Sequence, residues 1–400
     1  MRVNRLNVRW KIAVGVFVAV VCALVIAVFG FGWLRHGPEV VLYNRSLRDA
    51  VYATLDRSHG PVYERELLRI KELRNGTEFI DSLVEIDRMP NLECLYLSAN
   101  RISDLSPLSC LSELRTVGLG WNLIADLEPL CELVRLESLD LSFNQISDVS
   151  PLGGLAALKE LDVTGNQITS IEALASLGAL QVLECGQNQI ASIDPLSSLS
   201  TLTTLELWDN RIEDVRPLAG LSQLEDLSLS GNQIRDVTAL AVLGSLRDLD
   251  LGTNELTDVQ SLAGLVDLEF LDVSWNRIED LQSLQSLDGI VWLSVSGNPL
   301  RDTGQLSQFR SVRTLFAADC GVRDLGFLEA LPDLVYLDLS NNEIEDLTPL
   351  VDHAWPEQID TWAGQYPRVN VAGNPLDRTE GSDDLRNIRE LESRGVLVTY

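Results

Sequence analysis

Apolar and polar positions alternate along this chain with one fixed period of 22 residues. Leu136, Leu139, Leu141, Ile146, Val149 and Leu152 make up one copy, and nearly the same line recurs from Leu92 onward. Leu139 and Leu141 flank a polar residue, the pattern of a short strand with one face buried. The segment that follows, such as Asp104-Leu105-Ser106-Pro107-Leu108, is too short and proline-rich for a full helix. It predicts a 3₁₀ turn. A strict period of this length predicts stacked units, each burying its apolar side against its neighbours.

One polar position keeps the same period. Asn100, Asn122, Asn144, Asn166, Asn188, Asn210, Asn232, Asn254, Asn276 and Asn298 are followed by Cys320 and Asn342. Such regularity points to construction: an inward amide can bond the backbone of neighbouring units as a ladder. An Asp column is almost as regular: Asp104, Asp126, Asp148, Asp214, Asp236, Asp258, Asp280, Asp302, Asp324 and Asp346. These carboxylates are read as caps of the turn backbone, with a metal role as the rival.

The ends depart from the pattern. Residues 1–11 carry Arg2, Arg5, Arg9 and Lys11, and Ile12 to Leu34 is free of charge. A helix of that length, about 35 Å, exceeds a hydrocarbon core of roughly 30 Å. Residues 12–34 are therefore expected to be a transmembrane signal anchor, with 1–11 cytoplasmic and the rest extracytoplasmic. Cleavage of this segment is the rival, and Cys22 reads as a membrane-embedded thiol. Residues 35–45 are expected to be a linker, and 46–91 a helical cap with a degenerate first repeat. In that cap a helix opens at Ser46-Leu47-Arg48-Asp49, a second helical piece runs from Glu64 to Leu73, and Ile80, Leu83 and Ile86 imitate the repeat. The regular repeats span 92–376. The last is ten residues longer than the others and holds His353, Trp355, Pro356, Trp362 and Tyr366. Residues 377–400 complete a C-terminal cap, with a helix opened by Ser382 and a closing strand from Val396.

Composition narrows the function. Acids outnumber bases 59 to 31, and the net charge is −28. A nucleic-acid partner is not expected, since phosphate neutralisation needs a basic face. Three scattered histidines, six cysteines without Cys-x-x-Cys spacing and no phosphate loop predict no enzyme, metal or cofactor. Cys185 replaces a strand leucine and is expected in the core. Cys110 and Cys131 lie in adjacent repeats, where a bridge is open. Asn44-Arg45-Ser46 and Asn75-Gly76-Thr77 match the glycosylation sequon.

The variable strand positions carry the remaining signal. Between the two strand leucines stand Tyr96, Gly118, Asp140, Asp162, Glu184, Glu206, Ser228, Asp250, Asp272, Ser294, Phe316 and Asp338: seven acids and no base. Glu160, Asp226 and Asp248 lie two residues before members of this column. Like charges on neighbouring strands repel, so the stripe is expected to attract a basic partner. Solubility and calcium bridging are the alternatives. Phe270, Trp292, Phe316 and Tyr336, with Trp275 nearby, form the expected aromatic binding patch. Lateral packing between repeats is the competing reading.

Leu136-x-x-Leu139-x-Leu141-x-x-Asn144-x-Ile146-x-Asp148-Val149-x-Pro151-Leu152 resembles the 22-residue repeat of bacterial internalin-like leucine-rich repeat proteins. The resemblance covers roughly residues 46–400. It implies an α/β solenoid, a curved horseshoe with a parallel β-sheet on its concave face. It also implies non-enzymatic binding of another protein by that face. No wall-sorting signal is visible. A structural or self-associating envelope protein is the alternative function.

Overall fold

The structure is a computed structural model that describes residues 37–74, 79–356 and 366–400. The chain divides into two compact units, up to Ile124 and from Ala125 onward.

In the first unit, β1 (Glu39–Val40) pairs antiparallel with β2 (Val62–Tyr63). Helices α1 (Arg45–Thr54) and α2 (Glu64–Leu67) follow β1 and β2 respectively. Strands β3 (Glu72–Arg74), β4 (Cys94–Tyr96) and β5 (Thr116–Gly118) run parallel, with Leu73, Leu95 and Val117 in register. Three expectations change here. The linker is part of the cap over its described residues: Glu39–Val40 is a strand and Leu42 is buried. Helix α1 is capped by Asn44, whose Oδ1 accepts the Leu47 N–H at 3.0 Å, not by Ser46. The helical piece from Glu64 ends at Leu67, and Leu73 is a strand residue because it stands one period before Leu95.

The second unit carries twelve parallel strands. They are β6 (Ser138–Asp140), β7 (Glu160–Asp162), β8 (Val182–Glu184), β9 (Thr204–Glu206), β10 (Asp226–Ser228), β11 (Asp248–Asp250), β12 (Phe270–Asp272), β13 (Trp292–Ser294), β14 (Thr314–Phe316), β15 (Tyr336–Asp338), β16 (Arg368–Asn370) and β17 (Leu397–Thr399). Each pairs with the next at a register shift of one repeat, so Leu227 faces Leu205 and Leu249. The return segments are 3₁₀ turns of three to six residues, apart from the short helix α3 (Thr348–Asp352). Proline opens several of them, at Pro151, Pro195 and Pro217 for example, where its missing N–H is not needed. Helix α4 (Asp383–Ser393) is capped by Ser382, which accepts the Leu385 N–H at 3.2 Å. It buries Ile388 and Leu391.

The core is a column of aliphatic side chains. Leu139, Leu141, Ile146, Val149, Leu152, Leu155 and Leu158 of one repeat are all buried. Burying each such side chain contributes about 1.5–3 kcal/mol. Stacking alone leaves turn backbone unpaired, and the Asn column supplies the partners. Asn166 Nδ2 donates to Leu141 O of the preceding repeat (3.0 Å) and to Val163 O of its own (2.9 Å). Its Oδ1 accepts the Ile146 N–H (3.0 Å). Asn188, Asn210, Asn232, Asn254, Asn276, Asn298, Asn342 and Asn374 repeat this arrangement in the second unit. Asn122 does so in the first, donating to Leu97 O (3.0 Å) and accepting from Ile102 (2.9 Å), while Asn100 accepts from Ile80 (2.7 Å). Asn144 donates to Leu141 O within its own repeat (3.0 Å). The ten extra residues before Asn374 do not displace it: its Oδ1 takes the Ile344 N–H at 3.0 Å.

One joint differs. Cys320 Sγ reaches Val295 O at 3.2 Å, as an amide nitrogen would, but a thiol has no carbonyl oxygen to offer Leu300. The Leu300 N–H turns back to Asn298 O (2.9 Å). At the joint before it, Pro299 lacks the N–H that elsewhere joins neighbouring repeats, as Gln167 N–H does with Ile146 O (2.8 Å).

The Asp column caps the turns. Asp104, Asp126, Asp148, Asp214, Asp236, Asp258, Asp280, Asp302, Asp324 and Asp346 each accept the backbone N–H two residues on. At Asp148, these hydrogen bonds from Ser150 hold the carboxyl below its usual range.

Among the described residues no helix is long and apolar enough to cross a membrane. The span expected at 12–34, Cys22, the Asn75 sequon and Trp362 lie outside the described residues.

Candidate functional site on the exposed sheet face

Every three-residue strand from β6 to β15 buries its middle residue and turns the two flanking ones to the other face. That face holds two columns. From β6 to β12 the first reads Ser138, Glu160, Val182, Thr204, Asp226, Asp248 and Phe270. The second reads Asp140, Asp162, Glu184, Glu206, Ser228, Asp250 and Asp272, in direct register from strand to strand. Neighbouring strands lie about 4.8 Å apart, so the acids are close enough to repel. The bases next to these strands are engaged elsewhere: Lys159 with Glu137 at 2.7 Å and Arg247 with Glu269 at 3.0 Å. Burial, then neighbouring acids, raises the pKa of Glu184, Asp226 and Asp248. Burial also raises Asp162 and Asp272, in spite of their bonds to Thr164 and Ser274. Glu206 is pushed up to about 7, first by burial and then by Asp226, Glu184 and Asp250.

Local structure accounts for part of the stripe. Asp140 accepts the Ser142 N–H at 2.9 Å, Asp162 that of Thr164 at 2.8 Å, Asp250 that of Gly252 at 2.9 Å and Asp272 that of Ser274 at 2.7 Å. Asp338 does the same for Ser340 at 2.9 Å. The aspartates thus pair the N–H of the second residue beyond the strand, a use of charge that composition does not reveal. Glu184 and Glu206 make no such bond among the described residues.

The aromatic residues form one continuous run. Phe270 and Trp292 stack with centroids 4.0 Å apart and 13° between planes. Trp292 meets Phe316 at 5.2 Å, and Phe316 meets Tyr336 at 4.9 Å. All four are half-buried. The run crosses the joint between Asn298 and Cys320, so lateral packing is part of its work. Ring stacking contributes about 0.5–1.5 kcal/mol per pair.

Trp275 does not join the run. It precedes Asn276 in a left-handed position, with φ 53°, and is 56 % exposed. Every residue before a ladder position is left-handed, among them Trp121, Phe143, Gln187, Asp209, Trp275, Asn341 and four glycines. A Cβ on Gly297 would meet the Trp275 ring at 2.5 Å, so the indole lies over that glycine. Phe143 over Gly165, Asp209 over Gly231 and Asn341 over Gly373 repeat the arrangement. The period exposes Trp275 in the sequence, but not the backbone conformation that sets it apart.

Cys185 is fully buried, and burial raises its thiol pKa strongly. Cys320 is pushed up to about 11 by burial. Cys94, Cys110 and Cys131 are free thiols. His353 meets Trp355 edge-on at 4.6 Å, and burial lowers its pKa. Among the described residues no group of three or more His, Cys, Asp or Glu is placed to hold a metal ion.

A strand, a turn held by Asn or once by Cys, and a short, mostly 3₁₀ return, repeated along the chain, define a leucine-rich repeat protein. The family model for leucine-rich repeats, in two copies, matches residues 90–132, 134–176, 200–242 and 310–352. An internalin of Listeria monocytogenes, InlF, is 31% identical with a TM-score of 0.74, covering 77% of this chain and 92% of its own. Internalin InlC2 of the same organism is 37% identical with a TM-score of 0.51, covering 52% and 93%. A leucine-rich repeat protein of Leptospira interrogans shares the fold at 21% identity and a TM-score of 0.70, covering 84% and 86%. No curated protein matches the sequence. The chain belongs to the bacterial internalin-like leucine-rich repeat family.

Proposed function

We propose that this protein is a membrane-anchored, non-enzymatic recognition module whose exposed sheet face binds another protein. The observation that carries the reading is the continuous run of Phe270, Trp292, Phe316 and Tyr336, left half-open on that face. Apolar rings at the centre of a polar surface are where binding energy concentrates. The acids beside the run favour a basic protein over a nucleic acid. The uncharged stretch from Ile12 to Leu34 would hold the amino terminus in a membrane, with the repeats outside the cytoplasm.

The test is affinity capture by the full chain, followed by quantitative binding of the recovered partner to Trp292→Ala and Phe316→Ala. Loss of at least tenfold in affinity with unchanged circular dichroism supports the reading. Unchanged affinity removes the aromatic run from it. Carbonate extraction of membranes containing the chain tests the anchor, which fails if the protein is released.

A further inference from the structure

The aromatic run has a neighbour of different chemistry on the same face. At the aspartates of the stripe, the position two residues on supplies the N–H that the carboxylate accepts. At Glu184 and Glu206 those positions are Gly186 and Trp208, and the bond is absent among the described residues. The two glutamates stand side by side in register on β8 and β9. A Cβ at Gly186 would approach Cε2 and Nε1 of Trp208 to 2.5 Å, so the indole occupies the space which that glycine leaves. Two carboxylates with spare acceptor capacity beside an indole suit a guanidinium or an ammonium group. The run of rings begins three strands further along, about 14 Å away at ~4.8 Å per strand.

Resting on the protein-binding reading above, we infer that the partner presents an extended basic segment. Its arginine or lysine sits against Trp208, Glu184 and Glu206, and an apolar side chain lies on the Phe270–Trp292 stack. At roughly 3.3 Å per residue, an extended chain spans this distance in about four residues. Charge complementarity selects this occupant: Asp226 and Asp248 line the intervening strands, and no base lies on the face between the two ends.

The experiment uses the full chain in detergent and fluorescently labelled alanine-based peptides. One peptide carries an arginine and a tryptophan four residues apart. A second has glutamate for the arginine, and a third has alanine for the tryptophan. The first is expected to bind at least tenfold more tightly than either control. The double variant Glu184→Gln/Glu206→Gln should weaken it about tenfold, and Trp292→Ala should weaken it as well. Equal binding of the arginine and glutamate peptides, no binding of the first peptide, or no effect of the double variant overturns the inference. If Trp292→Ala weakens the arginine and glutamate peptides alike, the surface reading stands and the cationic seat falls. If neither variant changes any binding, both fall.

Discussion

Asn342 serves Cys320 in a way that it serves no other residue of the ladder. Its Oδ1 accepts the Cys320 N–H and the Val322 N–H, each at 3.0 Å. On its other side, Cys320 offers no acceptor to the Leu300 N–H of the repeat before it. Hydrogen exchange should find this joint. The amides of Leu300 and Gly321 are expected to exchange faster than those of Ile278, one repeat before Leu300, and Arg277, two repeats before Gly321. Equal protection at the two joints would show that packing alone sets local stability.

Removing a regular ladder amide costs more than the Cys320 substitution suggests. Asn254→Ala leaves the buried Ile234 N–H without its acceptor, while Leu229 O loses one of two amide donors and keeps Asn232 Nδ2. An unsatisfied buried group costs about 1–3 kcal/mol, so a loss of about 2 kcal/mol is expected in urea denaturation. Asn254→Cys keeps a donor and should lose less. The opposite order would remove the donor from the argument.

Glu206 makes stability depend on pH. In the folded chain it holds its proton up to about 7, against 4.5 for the ordinary group. Between those values the folded state binds more protons than the unfolded one, so this contribution falls as pH rises. Glu206→Gln should therefore stabilise the protein at pH 8 and be neutral at pH 4. Screening of the exposed part of the side chain reduces the gain to about 1 kcal/mol. Denaturant midpoints at the two pH values decide it: a variant no more stable at pH 8 than wild type refutes the burial argument.

Gln187 occupies a left-handed position with φ 50° and is exposed. The equivalent residues 165, 231 and 297 are glycines. A non-glycine residue there costs roughly 1–2 kcal/mol, of which glycine's extra unfolded entropy takes back about half. Gln187→Gly should raise stability by about 0.5–1 kcal/mol. A drop in melting temperature would mean that the Gln187 side chain makes contacts worth more than the strain.

The fold was legible because one line is written many times. Leu139, Asn144 and Asp148 can be assigned from their columns alone, since the same physical demand recurs at every joint. The cap was harder, because its signals occur once. The apolar spacing from Glu64 to Leu73 fits a helix as well as it fits a short helix followed by a strand. Only pairing of Leu73 with Leu95 separates the two. Asn44 was obscured as a cap by the equally suitable Ser46. On the sheet face, the charge of Asp162 was visible but its bond to the Thr164 N–H was not, because that bond depends on the strand ending where it does. The grouping of Phe270, Trp292, Phe316 and Tyr336 followed from the period. The separation of Trp275 did not, since no residue-type rule places a tryptophan at positive φ.

The four side chains that lie over left-handed glycines carry a length of their own. Phe143, Asp209, Trp275 and Asn341 are each separated from the next by 66 residues, three repeats. The array is therefore periodic on two scales, and the coarser one sets what can be cut or added. Excising residues 210–275 would seat Asp209 against Gly297 and reproduce a junction of a kind already present. Removing a glycine-bearing repeat alone would set a large side chain where a glycine is required. The natural quantum for shortening or lengthening this protein is the triplet.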